Sequence, residues 1–193
     1  MSLDTHWRSA FFDVVQQPEY AIRLKEASLR NANSQWTQTL TDAVVAVCQA
    51  QDWIAAAKGH PLQFLPEARS EYLGIDVIGF ERNDHRWLFP IAAIELENSQ
   101  KNDRIAYSLW KVLCLRAKLR MVFCYRPSPD AGTDLIRFLD TDVLYSMRIE
   151  DRLNLEGDTL VVMGYRNKSD TFPYGFFKWW KLDSNIGRFG IFR

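Results

Sequence analysis

Three acidic residues interrupt two of the most apolar stretches of the chain. Asp76 lies in the segment GIDVIGF, and Glu95 and Glu97 lie in the segment IAAIELEN. Carboxylates that cluster in a partly apolar setting repel one another and lose hydration, which raises the pKa of at least one of them. A bound divalent cation removes that penalty, and ligation by oxygen atoms alone suits Mg²⁺ or Mn²⁺ and not zinc. These residue types therefore predict a candidate metal site.

A β-hairpin would bring the three acids together. Side chains alternate along a strand, so Glu95 and Glu97 point to the same face of the sheet. If the stretches 74–82 and 89–97 pair as antiparallel strands, Asp76 lies opposite Glu95, and all three carboxylates meet at one end of the hairpin. An alternative stays open, in which the acids are solvated at a frayed sheet end or favour the N-terminus of the following helix electrostatically.

Hydrophobic periodicity and turn signals give the order of the elements around this hairpin. They predict helices within 8–30, a helix over 37–58, strands at 62–65, 72–80 and 87–96, a helix over 101–118 and a strand over 119–125. This order indicates an α/β fold with a mixed central β-sheet flanked by helices. We expect a single domain over residues 1–193, made of the N-terminal helices, a core over about 37–126 and an α/β extension over 127–193.

Composition limits the functional classes. The chain has 193 residues, of which 47% are hydrophobic and 25% charged, as in an ordinary globular domain. No apolar run approaches the roughly 20 residues that cross a bilayer, and the N-terminus lacks the layout of a signal peptide. Three unpaired cysteines fit a reducing compartment, and three scattered histidines argue against zinc. We therefore expect a cytoplasmic protein without a membrane partner.

Charge is unevenly distributed although the formal net charge is zero. Residues 98–126 contain seven Lys and Arg residues and one acid, Asp103. Such asymmetry permits a basic face that a polyanionic partner could use. The alternative is that the unlike charges are distributed over a solvated surface.

The Asp of GIDV, the apolar strand ending in IELEN, and the helix and strand that follow together resemble the PD-(D/E)XK nuclease superfamily, which has the restriction-endonuclease-like fold. Members share a helix–three strands–helix–strand core, in which an Asp on one strand and a (D/E)xK motif on the next hold the metal that cleaves a phosphodiester. Asp76 matches the first half-motif, with Ile75 where proline is often found, and Glu95 matches the acid of the second half. Glu97 stands at the lysine position, as in the ExE variant of some type II restriction enzymes.

The resemblance covers about residues 37–126 and implies a Mg²⁺- or Mn²⁺-dependent nuclease, a hydrolase that acts on DNA or RNA. Asp76 and Glu95 would ligate the metal, and Glu97 would complete its shell or accept a proton from its water. Lys101, at the start of the next helix, would replace the motif lysine and stabilise the transition state. Contacts to the nucleic-acid backbone would come from Lys101, Arg104, Lys111 and Lys118.

Two other functional classes stay open. The missing motif lysine and the zero net charge motivate a non-catalytic module that keeps a nuclease-like fold and binds nucleic acid or protein. An unrelated α/β protein, in which the IELEN segment is a coincidence, is the third hypothesis. Upstream, Glu67 and Glu71 are candidate extra ligands, although two glutamates near a strand edge are more often surface residues.

The C-terminal segment YGFFKWWKLDSNIGRFGIFR interleaves aromatic and basic residues. Stacking of bases on Trp179 or Trp180 would suit single-stranded nucleic acid. Aromatic residues are also favoured in strands and supply core area, so we expect a core role or a subunit contact, the latter in a homodimer.

Overall fold

The computed structural model describes residues 2–63 and 65–192 and contains one seven-stranded mixed β-sheet. The strands follow one another in chain order across the sheet: β1 (Trp53–Ala57), β2 (Val77–Glu81), β3 (Pro90–Leu96), β4 (Leu119–Arg126), β5 (Asp158–Tyr165), β6 (Phe177–Asp183) and β7 (Arg188–Ile191). The α-helices are α1 (Leu3–Val15), α2 (Pro18–Leu29), α3 (Asn33–Ala50), α4 (Asn102–Leu113), α5 (Pro129–Leu139) and α6 (Ile149–Leu153). The predicted α/β class with a mixed sheet is confirmed.

Strand direction divides the sheet into three parts. β1, β2 and β3 form an antiparallel meander, β3, β4 and β5 are parallel, and β5, β6 and β7 are antiparallel. Parallel neighbours need a crossover, which α4 supplies between β3 and β4 and which α5 and α6 supply between β4 and β5. The carboxyl ends of β3, β4 and β5 therefore lie along the same edge of the sheet.

Helices cover both faces of the sheet, and each face has its own apolar cluster. On one face, α1 and α3 contribute Trp7, Phe11 and Val44, which pack with Phe123 of β4. On the other face, α4 contributes Ile105, Leu109 and Val112, which pack with Ile78 of β2 and Val161 of β5. The fold is a sheet between two helical layers, and α4 is fixed to the sheet through its apolar stripe.

The first strand lies where the sequence predicts the end of a helix. α3 ends at Ala50, and Asp52 adopts a left-handed backbone conformation with φ of 59° that reverses the chain. β1 follows at once and pairs with β2 in antiparallel register. The predicted helix over 37–58 is therefore eight residues too long, because the alanines at 55–57 continue a helical pattern but form the edge strand.

The segments before β2 and β3 are also more irregular than predicted. Leu62 forms only an isolated bridge with Arg69, so the strand predicted at 62–65 is wrong, and its Phe64 lies outside the described residues. β2 begins at Val77 and β3 at Pro90, five and three residues later than predicted.

After β3, the basic helix is shorter than predicted, whereas the C-terminal tryptophan Trp179 lies in the core as expected. α4 ends at Leu113, so Lys118 lies in the connection to β4, where its Nζ is 3.1 Å from Oε1 of Glu81. Trp179 is 1% exposed and packs against Trp7 and Phe11, which confirms its core role and removes it as a base-stacking platform.

Within residues 2–63 and 65–192, no helix is sufficiently long and apolar to cross a membrane.

Two strand glycines provide a matched test of the packing. A Cβ added at Gly164 in β5 would lie 2.5 Å from Cε1 of Phe176 and 2.6 Å from Cδ1 of Tyr125, whereas at Gly190 in β7 it would meet nothing within 4 Å. We expect Gly164→Ala to lower the free energy of unfolding by about 1–3 kcal/mol through overpacking, and Gly190→Ala to leave it nearly unchanged. Urea denaturation of both variants measures the difference, and equal effects would contradict the aromatic packing around β5.

Candidate active site

The register of the β2–β3 hairpin places the first two acids side by side. Val77 pairs with Ile94, and continuing this antiparallel register by one residue sets Asp76 opposite Glu95. Asp76 immediately precedes β2, while Glu95 lies inside β3, so both are at the sheet edge where the parallel strands end. The negative charge of Asp76 contributes to raising the pKa of Glu95, which reflects how near the two carboxylates lie.

Glu95 is a buried carboxylate that α4 holds in place. The residue is 3% exposed, and its Oε2 accepts a hydrogen bond of 3.0 Å from Oγ of Ser108. Its Oε1 lies 2.8 Å from Nζ of Lys111, one turn further along α4. Burial raises the pKa of Glu95, and the hydrogen bond and charge of Lys111 oppose that rise. Ser108 therefore orients Oε2 by a hydrogen bond, and the ammonium of Lys111 lies against Oε1 as an ion pair.

Asp76 is oriented by the backbone of the neighbouring strand. Its Oδ2 accepts a hydrogen bond of 2.7 Å from the N–H of Leu96. Burial raises the pKa of Asp76; the Leu96 hydrogen bond and the charge of Lys111 lower it, and the charges of Glu71 and Glu97 raise it again. Acidic charges thus outnumber the single ammonium that acts on this group.

Lys111 supplies the ammonium that sequence analysis assigned to Lys101. Besides Glu95, its Nζ contacts the carbonyl of Gly74 at 2.8 Å, which connects α4 to the segment just before Asp76. Lys101 instead stands at the exposed N-cap position of α4, where its backbone N–H donates to Ser99. The sequence predicts Lys111 as a contact to the nucleic-acid backbone, but its side chain turns towards the acids.

The sequence contained one signal for this arrangement. Ser108 is a polar residue beside the apolar stripe of α4, and it is buried because its hydroxyl faces Glu95. Lys111 follows it at helical spacing. Of the other predicted basic contacts, Arg104 is exposed on α4, and Lys118 lies beyond the end of the helix and pairs with Glu81.

Glu97 has a local role that the sequence does not predict. Its Oε1 accepts a hydrogen bond of 2.7 Å from the N–H of Ser99, in the turn that leads to α4. Among the described residues, no group of three His, Cys, Asp or Glu side chains lies close enough to hold a metal ion. The expected convergence of three carboxylates is therefore reduced to the pair Asp76 and Glu95 with Lys111.

This pair fits Mg²⁺ or Mn²⁺ in donor type. Both groups offer carboxylate oxygens, and burial has removed part of their hydration while leaving an excess of negative charge. Mg²⁺ keeps several of its waters and is usually bound through one or two carboxylates together with substrate phosphates, so a closed protein cage is not needed. Asp76 and Glu95 are the residues that would hold it.

A polar cleft of about 390 Å³ gives access to Asp76. It lies between the first turns of α3 and the sheet edge, and its lining includes Asn33, Thr37, Lys58, Glu71, Asp76 and Leu96. Of the two upstream glutamates, Glu71 lines this cleft, whereas Glu67 is exposed with its Oε2 3.8 Å from a guanidinium nitrogen of Arg69. The cleft brings one basic side chain, Lys58, to the same opening.

The pKa of Asp76 makes the stability of the protein depend on pH. Because that pKa is higher in the folded protein than in the unfolded chain, the group stabilises the fold below its unfolded pKa, and this contribution is lost as pH rises through the folded pKa. We expect Asp76→Asn, in buffer with EDTA, to raise the melting temperature at pH 7, by about 2–4 °C for each kcal/mol of this penalty. The difference from wild type should disappear in acid; the matched control, Asp84→Asn on an exposed turn, should show neither effect. Thermal melts between pH 3 and pH 8 measure this, and a lower melting temperature for Asp76→Asn at pH 7 would contradict it.

Comparison with known proteins leaves this geometry as the basis for assigning function. No protein-family model, curated protein or solved structure matches the chain.

Proposed function

We propose that the protein is a Mg²⁺-dependent phosphodiesterase that cleaves nucleic acid and has a restriction-endonuclease-like core. The observation that carries the proposal is the pair of adjacent carboxylates, Asp76 and Glu95, with Nζ of Lys111 2.8 Å from Oε1 of Glu95. The order α3, β1, β2, β3, α4, β4 supports it, because it agrees with the helix–three strands–helix–strand order of that core.

Each of the three side chains has a distinct role in this proposal. Asp76 and Glu95 hold the cation, which when bound would polarise a phosphate oxygen and lower the pKa of a water. Lys111 places a positive charge at the acids, where it stabilises the negative charge that develops on the phosphate in the transition state. Ser108 and the N–H of Leu96 keep the two carboxylates in fixed orientations before substrate binds.

Lys111 has the role of the missing motif lysine, although it lies on α4 and not on the strand that carries Glu95. In the (D/E)xK pattern the ammonium comes from the strand that carries the acid, two residues later; here that position is Glu97. Lys111 reaches the acid from α4 instead, across the face on which the helix packs. The ExE sequence is then compatible with an ammonium at the site.

The exposed basic residues on the first turn of α4 are the proposed backbone contacts. Lys101 and Arg104 project from the end of the helix that starts at the sheet edge. Such contacts to phosphates give affinity that falls with salt and carries no sequence preference. The substrate class is therefore DNA or RNA, without a device for base recognition among these residues.

One observation favours the non-catalytic alternative. The ammonium of Lys111 already neutralises part of the charge of Glu95, as in an ion pair that serves only to fix α4 on the sheet. Under that alternative the protein binds nucleic acid or another protein through a nuclease-like fold. The two hypotheses differ in metal dependence and in cleavage.

The first prediction of the catalytic hypothesis concerns metal binding. We expect millimolar Mg²⁺ or Mn²⁺ to raise the melting temperature of the wild type, because a ligand that binds only the folded state stabilises it by mass action. Asp76→Asn and Glu95→Gln should abolish the shift, whereas Glu67→Gln, an exposed control that forms a loose ion pair, should retain it. Absence of a shift in the wild type would remove the metal site.

The second prediction separates the two candidate lysines. In assays with plasmid and single-stranded DNA or RNA in Mg²⁺, we expect Lys111→Met to lower the cleavage rate by about 100-fold or more, the loss typical of one electrostatic contact to a transition state. Lys101→Met should change the rate by less than about fivefold, because the Lys101 side chain is exposed at the helix N-cap.

Each outcome of the cleavage assay selects a hypothesis. Equal losses in the two lysine variants would contradict the role of Lys111. Salt-dependent binding of nucleic acid without cleavage would establish the non-catalytic module. If the protein neither binds nor cleaves nucleic acid, the nuclease interpretation of the fold is wrong.

A further inference from the structure

Arg126, the last residue of β4, is a buried guanidinium whose hydrogen-bond partners are all neutral. It is 5% exposed, and it donates to the carbonyl of Tyr125 at 2.9 Å and to Oδ1 of Asn102 at 2.6 Å. Among the described residues, no carboxylate lies within 4.0 Å of it. Two of its five N–H groups are used in these bonds, and three remain available.

A second arginine on the same strand is a buried guanidinium whose charge is partly offset by nearby carboxylates. Arg120, at the other end of β4, is 2% exposed and also donates only to neutral groups, namely two carbonyls and the hydroxyl of Thr159, but the charges of Asp158 and Glu156 raise its pKa against the effect of burial. Burial lowers the pKa of Arg126 as well, but no carboxylate opposes that effect. A buried charge without an opposite charge is unfavourable, so Arg126 stands out from its own strand.

Arg126 lies beside the N-terminus of α4. The first turns of α4 and α5 each carry one acid, Asp103 and Asp130, but neither carboxylate lies within 4.0 Å of the guanidinium. Asn102, which receives its hydrogen bond, is the first residue of α4, and α5 begins only three residues after Arg126. The N-terminus of a helix carries a partial positive charge and unpaired N–H groups, so a cation there is disfavoured and an anion is favoured. An anionic ligand at this place would compensate the charge of Arg126.

The position of Arg126 relative to the carboxylates of Asp76 and Glu95 indicates which anion it would bind. Glu95 pairs with Val122 in the parallel β3–β4 ladder, so Arg126 lies four residues further along β4, about 13 Å away along the strand. Residues two and four positions after Val122 point to the same face of the sheet as Val122 and Glu95. The guanidinium therefore lies on the acidic face and at the same sheet edge as Asp76 and Glu95.

We propose that Arg126 and the first turn of α4 bind a non-scissile phosphate of the nucleic acid whose phosphodiester lies at Asp76 and Glu95. The identity of the ligand as a nucleic-acid phosphate rests on the proposed function, whereas the anion site itself rests on the contacts of Arg126. The substrate then spans the sheet edge from the end of β3 to the end of β4. Because one site is acidic and the other is basic, the nucleic-acid strand would bind in one direction only.

Inorganic phosphate in EDTA tests the anion site without cleavage or metal. We expect phosphate to raise the melting temperature of the wild type and of Arg137→Gln, an exposed control on the last turn of α5. Arg126→Gln should lose this shift. In phosphate-free buffer Arg126→Gln should melt at the same temperature as the wild type or higher, because an uncompensated charge has been removed.

A structural role would give the opposite result. If Arg126 served only to hold Asn102 and the end of β4, Arg126→Gln would melt below the wild type in phosphate-free buffer, and the phosphate shift would persist. Asn102→Ala is the second variant, should Arg126→Gln fail to fold. It removes one bond that orients the guanidinium and should weaken phosphate binding in calorimetry by several-fold; unchanged affinity would overturn the proposal.

Cleavage of a short oligonucleotide connects the anion site to the substrate. We expect Arg126→Gln to raise KM about tenfold or more while kcat changes by less than about threefold, because the contact is to a phosphate that does not react. Arg126→Lys should restore part of the affinity. An unchanged KM, with the Lys111→Met defect intact, would overturn this inference alone. Arg126-dependent phosphate binding without any cleavage would overturn the nuclease and leave the anion site.

Discussion

The contact between Glu95 and Lys111 is the interaction on which the geometry of the sheet edge depends. Placing a carboxylate on an inner strand of a covered sheet is unfavourable unless its charge has partners, and here the hydroxyl of Ser108 and the ammonium of Lys111 both come from α4. α4 is itself positioned by its apolar stripe, which packs on the face shared by β2, β3 and β5. The positions of the polar groups at the site are therefore set by the hydrophobic packing of α4 on the sheet.

The charge balance around this contact distinguishes it from a simple internal ion pair. Lys111 offsets one carboxylate, but Asp76 lies opposite Glu95, and Glu71 and Glu97 add further negative charge to its surroundings. A pair that served only stability would need no second, half-buried acid beside it. The repulsion that remains is what a divalent cation would relieve, and it is the physical basis for assigning chemistry to this place.

The sequence was sufficient to predict the hairpin, because alternation and a polar turn specify which residues face each other over a short distance. It predicted the proximity of Asp76 and Glu95 for the same reason. It could not predict Lys111, because that contact depends on how α4 rotates about its axis when it packs, and no short motif encodes this rotation. It also misplaced β1, since Ala55 to Ala57 fit a helix as well as an edge strand and only pairing with β2 decides between them.

Acidic and basic groups are separated along the edge where the parallel strands end. The carboxylates lie at the end of β3 and Arg126 lies at the end of β4, and each leaves a charge that the protein itself does not fully compensate. Because β3 and β4 are neighbouring parallel strands joined by α4, one helix supplies Lys111 to the first site and Asn102 to the second. A ligand with one phosphate for a cation at the acids and a second phosphate for Arg126 would bind at both sites at once. A polynucleotide has two such groups, and a single small anion does not.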